Sequence, residues 1–173
     1  MTDPTSVIDF EANEAGAWRA INDRVMGGLS RSGLRRTDRG TGVFEGVLSL
    51  ANSGGFASVR TAVGPHDLSP YNGLEIRVRG DGRTYQLRLR TESDADGIAY
   101  RADVETSDGE WTTSRIEFDR FVPTYRGRTL RDVPPLDTAR IHQVVILLGD
   151  KRPGAFSLEI AHVRAWSADT VVP

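Results

Sequence analysis

The 173 residues include no cysteine, which excludes disulfide bridges, thiolate zinc sites and a cysteine nucleophile. A chain this long does not need such staples, since a domain of its size can bury roughly 70% of the surface that its unfolded chain exposes. Lysine is almost missing as well: Lys151 stands alone against 21 arginines. Either GC-rich codon usage or a demand for planar guanidinium groups facing carboxylate or phosphate would produce that bias. No sign of charge dominates, with 22 basic against 24 acidic residues, so the basic excess that a sequence-independent nucleic-acid binder needs is absent. The longest apolar run, Val144 to Leu148, is too short to cross a bilayer. The first ten residues, Met1 to Phe10, carry neither a basic region nor an apolar stretch of signal type. They also lack an arginine-rich presequence, and the expected location is the cytoplasm, at most peripheral to a membrane. Histidine is scarce too: His66, His142 and His162 lie far apart, in no metal-ligand or triad spacing. No catalytic residue, cofactor or metal ligand is assigned. Asp94-Ala-Asp96-Gly97 imitates the start of a calcium loop but lacks the later oxygen ligands. A hairpin tip is the simpler reading there, with a structural calcium left open.

What the chain does contain is glycine (18) and proline (8), spaced between short runs that alternate with period 2. Leu74, Ile76 and Val78 alternate with Glu75, Arg77 and Arg79; Tyr85, Leu87 and Leu89 alternate with Gln86, Arg88 and Arg90. A third run sets Ile98, Tyr100, Ala102 and Val104 against Ala99, Arg101, Asp103 and Glu105. Such alternation marks strands with one buried and one wet face, in antiparallel sheets. Further strands are expected at Val7–Phe10, Val43–Leu50, Phe56–Val63, Thr113–Phe118, Ile141–Leu148 and Phe156–Trp166. With no amphipathic helices between them, they predict an all-β sandwich or barrel. Residues 11–21 hint at helix, but Gly16 limits it to a turn or two. One domain is expected over 1–173, with a core from about 7 to 166 and a loose tail at 167–173.

Gly80-Asp81-Gly82-Arg83 invites a sharper expectation. Asp-Gly favours a two-residue type I′ hairpin turn. Such a turn would set Val78 opposite Tyr85, Ile76 opposite Leu87, Leu74 opposite Leu89, and Glu75 opposite Arg88 on the wet face. Arg77, Arg79, Arg88, Arg90 and Arg101 would then form one stripe, either a patch for an acidic or phosphorylated partner or simply a solvated face.

Six segments are distinctive in composition and spacing: 18–30, with Asn22-Asp-Arg-Val-Met-Gly-Gly-Leu-Ser30; Asn52-Ser-Gly-Gly-Phe-Ala-Ser-Val-Arg60; Leu68-Ser-Pro-Tyr-Asn-Gly-Leu74; Arg79-Gly-Asp-Gly-Arg83; Phe121-Val-Pro-Thr-Tyr-Arg-Gly-Arg128; and Gly149-Asp-Lys-Arg-Pro-Gly-Ala-Phe156. In this order, across about 7–166, the sequence resembles the complex I intermediate-associated protein family. The resemblance implies a galactose-binding-like jelly-roll β-sandwich of two antiparallel sheets. It also implies a role like that of the mitochondrial members, which help to assemble respiratory complex I, the NADH:ubiquinone oxidoreductase. Without a presequence, this chain reads as a stand-alone bacterial relative, cytoplasmic and at most peripheral to the inner membrane. The expected activity is non-enzymatic: a chaperone-like assembly factor that binds a protein partner, such as a respiratory or other membrane-complex assembly intermediate. The alternative is a jelly roll that binds a carbohydrate or another small polar ligand.

The candidate binding residues lie in the two Gly-Gly segments. Gly27 and Gly28 allow backbone N–H groups to approach a ligand. Asn22 and Asp23 supply an amide and a carboxylate, Met26 an adaptable apolar contact, and Trp18 and Ser30 flank the loop. Equally, Trp18, Val25 and Met26 could plug one end of the sandwich while Asn22 and Asp23 cap turns. Gly54 and Gly55 form a second permissive turn, after which Phe56, Ser58 and Arg60 share one strand face. Asp23 is the expected partner of Arg60, and the two segments are expected to meet in space.

Overall fold

The computed structural model describes residues 6–10, 18–22, 28–91 and 97–167. Among these, thirteen strands form two antiparallel sheets: β1 (Ser6–Asp9), β2 (Arg19–Ala20), β3 (Arg31–Arg36), β4 (Gly42–Leu48), β5 (Ala57–His66), β6 (Gly73–Arg79), β7 (Thr84–Arg90), β8 (Ala99–Glu105), β9 (Trp111–Glu117), β10 (Val122–Tyr125), β11 (Arg128–Thr129), β12 (Ile141–Leu148) and β13 (Gly154–Trp166). The first sheet runs β3-β4-β13-β6-β9, with β1 also on β13, and the second runs β11-β10-β8-β7-β12-β5-β2. Their inner faces meet in a continuous core from Val7 to Ala165, including Phe44, Leu74, Ile76, Val78, Tyr85, Leu87, Leu89, Val144, Ile146 and Leu158. The alternating residues of β6, β7 and β8 turn inward as their period requires. Among the described residues no helix is long and apolar enough to cross a membrane. The helical hint at 11–17 and the loop at 94–96 lie outside the described residues, whereas Arg19 and Ala20 are strand.

The hairpin does not form. β6 pairs with β9 and β13, so Val78 lies opposite Thr112 and Ile160. β7 pairs with β8 and β12 in the other sheet, which sets Tyr85 opposite Val104. Gly80 to Arg83 is a corner that carries the chain from one sheet to the other. Three contacts from the β8–β9 connection hold it: Gly109 N–H donates to Gly80 O at 2.9 Å, Gly82 N–H donates to Thr106 Oγ1 at 3.1 Å, and Thr106 Oγ1 donates to Arg83 O at 2.6 Å. Gly82 has φ +88°, so the turn residue serves its left-handed role in a different connection. The apolar faces of β6 and β7 still meet, across the sandwich instead of along one sheet.

β3, β10 and the two-residue β2 and β11 escaped the sequence pattern. Arg31-Ser-Gly-Leu-Arg-Arg36 has one apolar residue, and β3 is a half-exposed edge strand, where packing imposes little alternation.

Candidate functional site

β2 brings the two Gly-Gly segments together. Arg19 lies opposite Arg60 and Ala20 opposite Val59, and Ile21 N–H donates to Ser58 O at 2.9 Å. Asn22 Oδ1 accepts from Ser58 N–H at 3.1 Å and from Ser32 Oγ at 2.6 Å, while Ser58 Oγ donates to Ile21 O. Ser58 is buried, so its backbone N–H needs this acceptor. Ser30 is buried as well: its Oγ accepts from Ser49 N–H at 2.9 Å and donates to Ser49 O at 3.2 Å. Trp18 stacks on Phe10 with ring centroids 6.1 Å apart and packs against the core. Gly28 is buried, Gly54 is extended after the 3-10 turn Ala51–Ser53, and Gly55 sits at φ +141° with Phe56 half-buried beyond it. The polar atoms of Asn22, Ser30 and Ser58 are thus engaged in joining loops to strands. Asp23, Met26 and Gly27 lie outside the described residues, as does Val25.

Arg60 leads from this joint onto the outer face of the second sheet. Cross-strand register sets Arg19 opposite Arg60, Arg60 opposite Val145, Val145 opposite Arg88, Arg88 opposite Arg101, and Arg101 opposite Val122. Four arginines from four strands therefore fall in one row. Val145 and Leu147 alternate with the core residues of β12, yet are only 2% and 8% exposed, so the row has an apolar, covered floor. Arg88 is half-buried and donates from Nε and Nη2 to Gln86 Oε1 at 2.9 and 2.7 Å. Burial, then the like charges of Arg101, Arg90 and Arg60, push its guanidinium down to about 10. Like charges directly opposite destabilise a sheet, so this row costs the fold something. The alternation of β7 and β8 places Arg88 and Arg101 in one stripe, but Arg19 and Arg60 join them only through strand pairing.

The other sheet presents the opposite arrangement. Arg77 and Arg79 do not share a stripe with Arg88, Arg90 and Arg101: their strands belong to different sheets. Arg79 pairs with Glu159 at 2.6 Å, which also accepts from Thr41 Oγ1 at 2.7 Å. Glu75 meets Arg115 at 3.1 Å and His162 Nε2 at 3.0 Å, rather than Arg88. Burial alone would raise the Glu75 and Glu159 carboxyls. Hydrogen bonds from His162 and Arg115 to Glu75, and from Thr41 and Arg79 to Glu159, outweigh it and hold both below the ordinary 4.5. Arg77 and Arg79 lie over the Trp111 ring at 5.2 and 5.4 Å, and Arg115 over Trp166 at 5.6 Å. An open cleft of about 360 Å³ is lined by Tyr71, Asn72, Glu117, Phe118, Asp119 and Thr138.

Comparison with known proteins places relatives beside this geometry. The family described as Complex I intermediate-associated protein 30 (CIA30) matches residues 8–160. The Drosophila melanogaster protein named complex I intermediate-associated protein 30, mitochondrial, is 28% identical over 91% of this chain and 61% of its own length. A Caenorhabditis briggsae protein named as a probable member is 29% identical over 84% of this chain and 48% of its own length. The chain thus spans about half to three-fifths of these two relatives. Among solved structures, the family 11 carbohydrate-binding module of Clostridium thermocellum, in complex with a mixed-linked tetrasaccharide, superposes with a TM-score of 0.66 over 95% of both chains at 15% identity. That likeness shows the jelly-roll fold.

Proposed function

Because the chain belongs to the complex I intermediate-associated protein 30 family, we propose that it is a non-enzymatic binding module that acts in the assembly of respiratory complex I through contact with a protein partner. The observation that carries this reading is the arginine row on the outer face of the second sheet. A broad charged sheet face with an apolar floor suits a protein surface, where guanidinium groups are favoured contacts. Asn22 and Ser58 hold β2 along β5 at the edge of that face, and we assign Trp18, Gly28, Ser30, Gly54, Gly55 and Phe56 to the same binding region. The location that goes with the reading is the cytoplasmic side of the membrane that houses the complex. Affinity capture of the tagged chain from its native cells, followed by mass spectrometry, tests it. Subunits of an incomplete complex I are the expected co-purifying proteins, and their absence under mild extraction would overturn the assembly role.

A carbohydrate or small polar ligand is the second reading, and one observation favours it. The open cleft combines Tyr71 and Phe118 with Asn72, Glu117 and Asp119, the mixture of aromatic and polar groups that small-ligand sites use. Amide shifts confined to residues 71–72 and 117–119 on addition of a mixed-linked glucan oligosaccharide would support it.

A further inference from the structure

The arginine row is specific enough to say what chemistry would recognise it. Resting on the protein-binding reading above, we propose that the outer face of the second sheet binds an extended acidic segment of the partner, its carboxylates laid along Arg19, Arg60, Arg88 and Arg101. The geometry favours this ligand over a single oxyanion. From β2 to β8 the row crosses four strand spacings, roughly 19 Å, whereas one phosphate reaches only the donors that converge on a point. An extended chain of about six residues covers that length and sets same-face side chains roughly 7 Å apart, a repeat that lets successive carboxylates meet successive guanidiniums.

The distribution of charge points the same way. Among the described residues, the Arg101 side chain forms no hydrogen bond or ion pair, and Arg88 has only the neutral Gln86 amide as partner. Asp103 and Glu105, on the same face of β8 as Arg101, form no ion pair with a described residue either. On the first sheet, by contrast, Arg35, Arg39, Arg79, Arg115 and Arg164 all lie against acids. The described part of the chain thus sets acids beside these five arginines, while Arg77 of the same sheet meets only Thr113 and Trp111, and it leaves Arg88 and Arg101 of the other sheet without an acid. Val145 and Leu147 supply an apolar floor, on which guanidinium–carboxylate pairs are less exposed to water and correspondingly stronger.

The test uses the intact chain and a short dye-labelled peptide with glutamate at alternate positions, read by fluorescence anisotropy. The glutamate peptide should bind, and its glutamine counterpart should bind at least roughly tenfold more weakly. Affinity should fall by about an order of magnitude from low to physiological salt. Arg88→Gln and Arg101→Gln should each weaken binding roughly tenfold, while Arg35→Gln on the other sheet leaves it unchanged. The Arg101 side chain forms no hydrogen bond or ion pair with a described residue, so its variant keeps the result readable should Arg88→Gln fold poorly, and circular dichroism checks both. Equal binding of the two peptides, or loss of binding in none of the row variants, overturns the proposal. So does Arg88-dependent binding of phosphatidylglycerol vesicles or inorganic phosphate without binding of the glutamate peptide. If the peptide binds but no complex I intermediate is captured, the assembly role falls and the acidic-segment site stands. If intermediates are captured equally by the wild type and the Arg88→Gln/Arg101→Gln chain, the site falls and the role stands.

Discussion

Arg83 is among the most deeply placed charges in the molecule, 7% exposed at the corner between β6 and β7. Its Nε and Nη2 reach Asp150 in a bidentate pair at 2.9 and 2.8 Å, and the same guanidinium donates to the carbonyls of Arg152 and Ala155. One side chain thereby holds the 150–155 turn, where Lys151 takes φ +61°, against a corner that itself contains a left-handed glycine. Asp81 reinforces the same corner, because its carboxylate accepts from Tyr85 Oη at 3.0 Å and from Ser157 N–H at 2.9 Å. Burial, then the Asp81 charge, drives the Tyr85 hydroxyl far above its ordinary value, so it stays a donor at any physiological pH. Removing one partner of a buried pair leaves the other charge uncompensated. Asp150→Ala is therefore expected to cost about 3 kcal/mol in urea denaturation; a loss below about 1 kcal/mol, the range of an exposed pair, would mean that solvent already serves Arg83.

Among the elements, the corner at Gly80–Arg83 decides the topology. A Cβ on Gly80 would sit 2.3 Å from Thr106 Cβ. Thr106 cannot swing away freely, since its hydroxyl bridges Gly82 N–H and Arg83 O. Gly80→Ala should therefore destabilise the fold by about 2 kcal/mol, the usual scale of overpacking, read as a lowered melting midpoint. A neutral result would show that the 106–109 connection yields to the added methyl. β13 takes the complementary role at the centre of the first sheet. Its thirteen residues pair with β4 and β1 along one edge and with β6 along the other, with bulges that let strands from distant parts of the chain share it.

At the scale of the whole molecule, acid should be the condition that dismantles the fold. Burial alone would raise Asp150, but hydrogen bonds from Arg83 and from Arg152 N–H hold it below 3.8. Glu75 and Glu159 are held below 4.5. Carboxyls depressed in the folded state bind protons more readily when unfolded. The stability they contribute is thus complete above the unfolded values and lost as pH falls through the folded ones. Melting temperature should be flat between about pH 6 and 8 and drop steadily below about pH 4. In Asp150→Ala that acid-side drop should be shallower. An unchanged slope would mean that other carboxyls carry the acid sensitivity.

Period-2 alternation was enough to tell which residues of β6, β7 and β8 point inward, because burial on one face of a pleated strand is a local property. It also sufficed for the all-β class and for most strand positions, and the Gly-Gly segments carried the family resemblance. It could not choose partners. Val78 satisfies its apolar face equally well beside Tyr85 in one sheet or across from it in two, and Asp-Gly accepts either connection. The pairing of β6 with β9 and β13, and of β7 with β8 and β12, resolved that choice, with contacts from Thr106 and Gly109 holding the corner. The candidate loop shows the same division. Its segments were distinctive in the sequence, but that Asn22 braces Ser58 depends on β2 lying along β5. Alternation alone put Arg88 and Arg101 in one stripe, but the full row with Arg19 and Arg60 was a product of register. Four residues scattered from 19 to 101 were aligned by backbone hydrogen bonds between distant strands, and side-chain patterning within any one strand carries no information about that alignment.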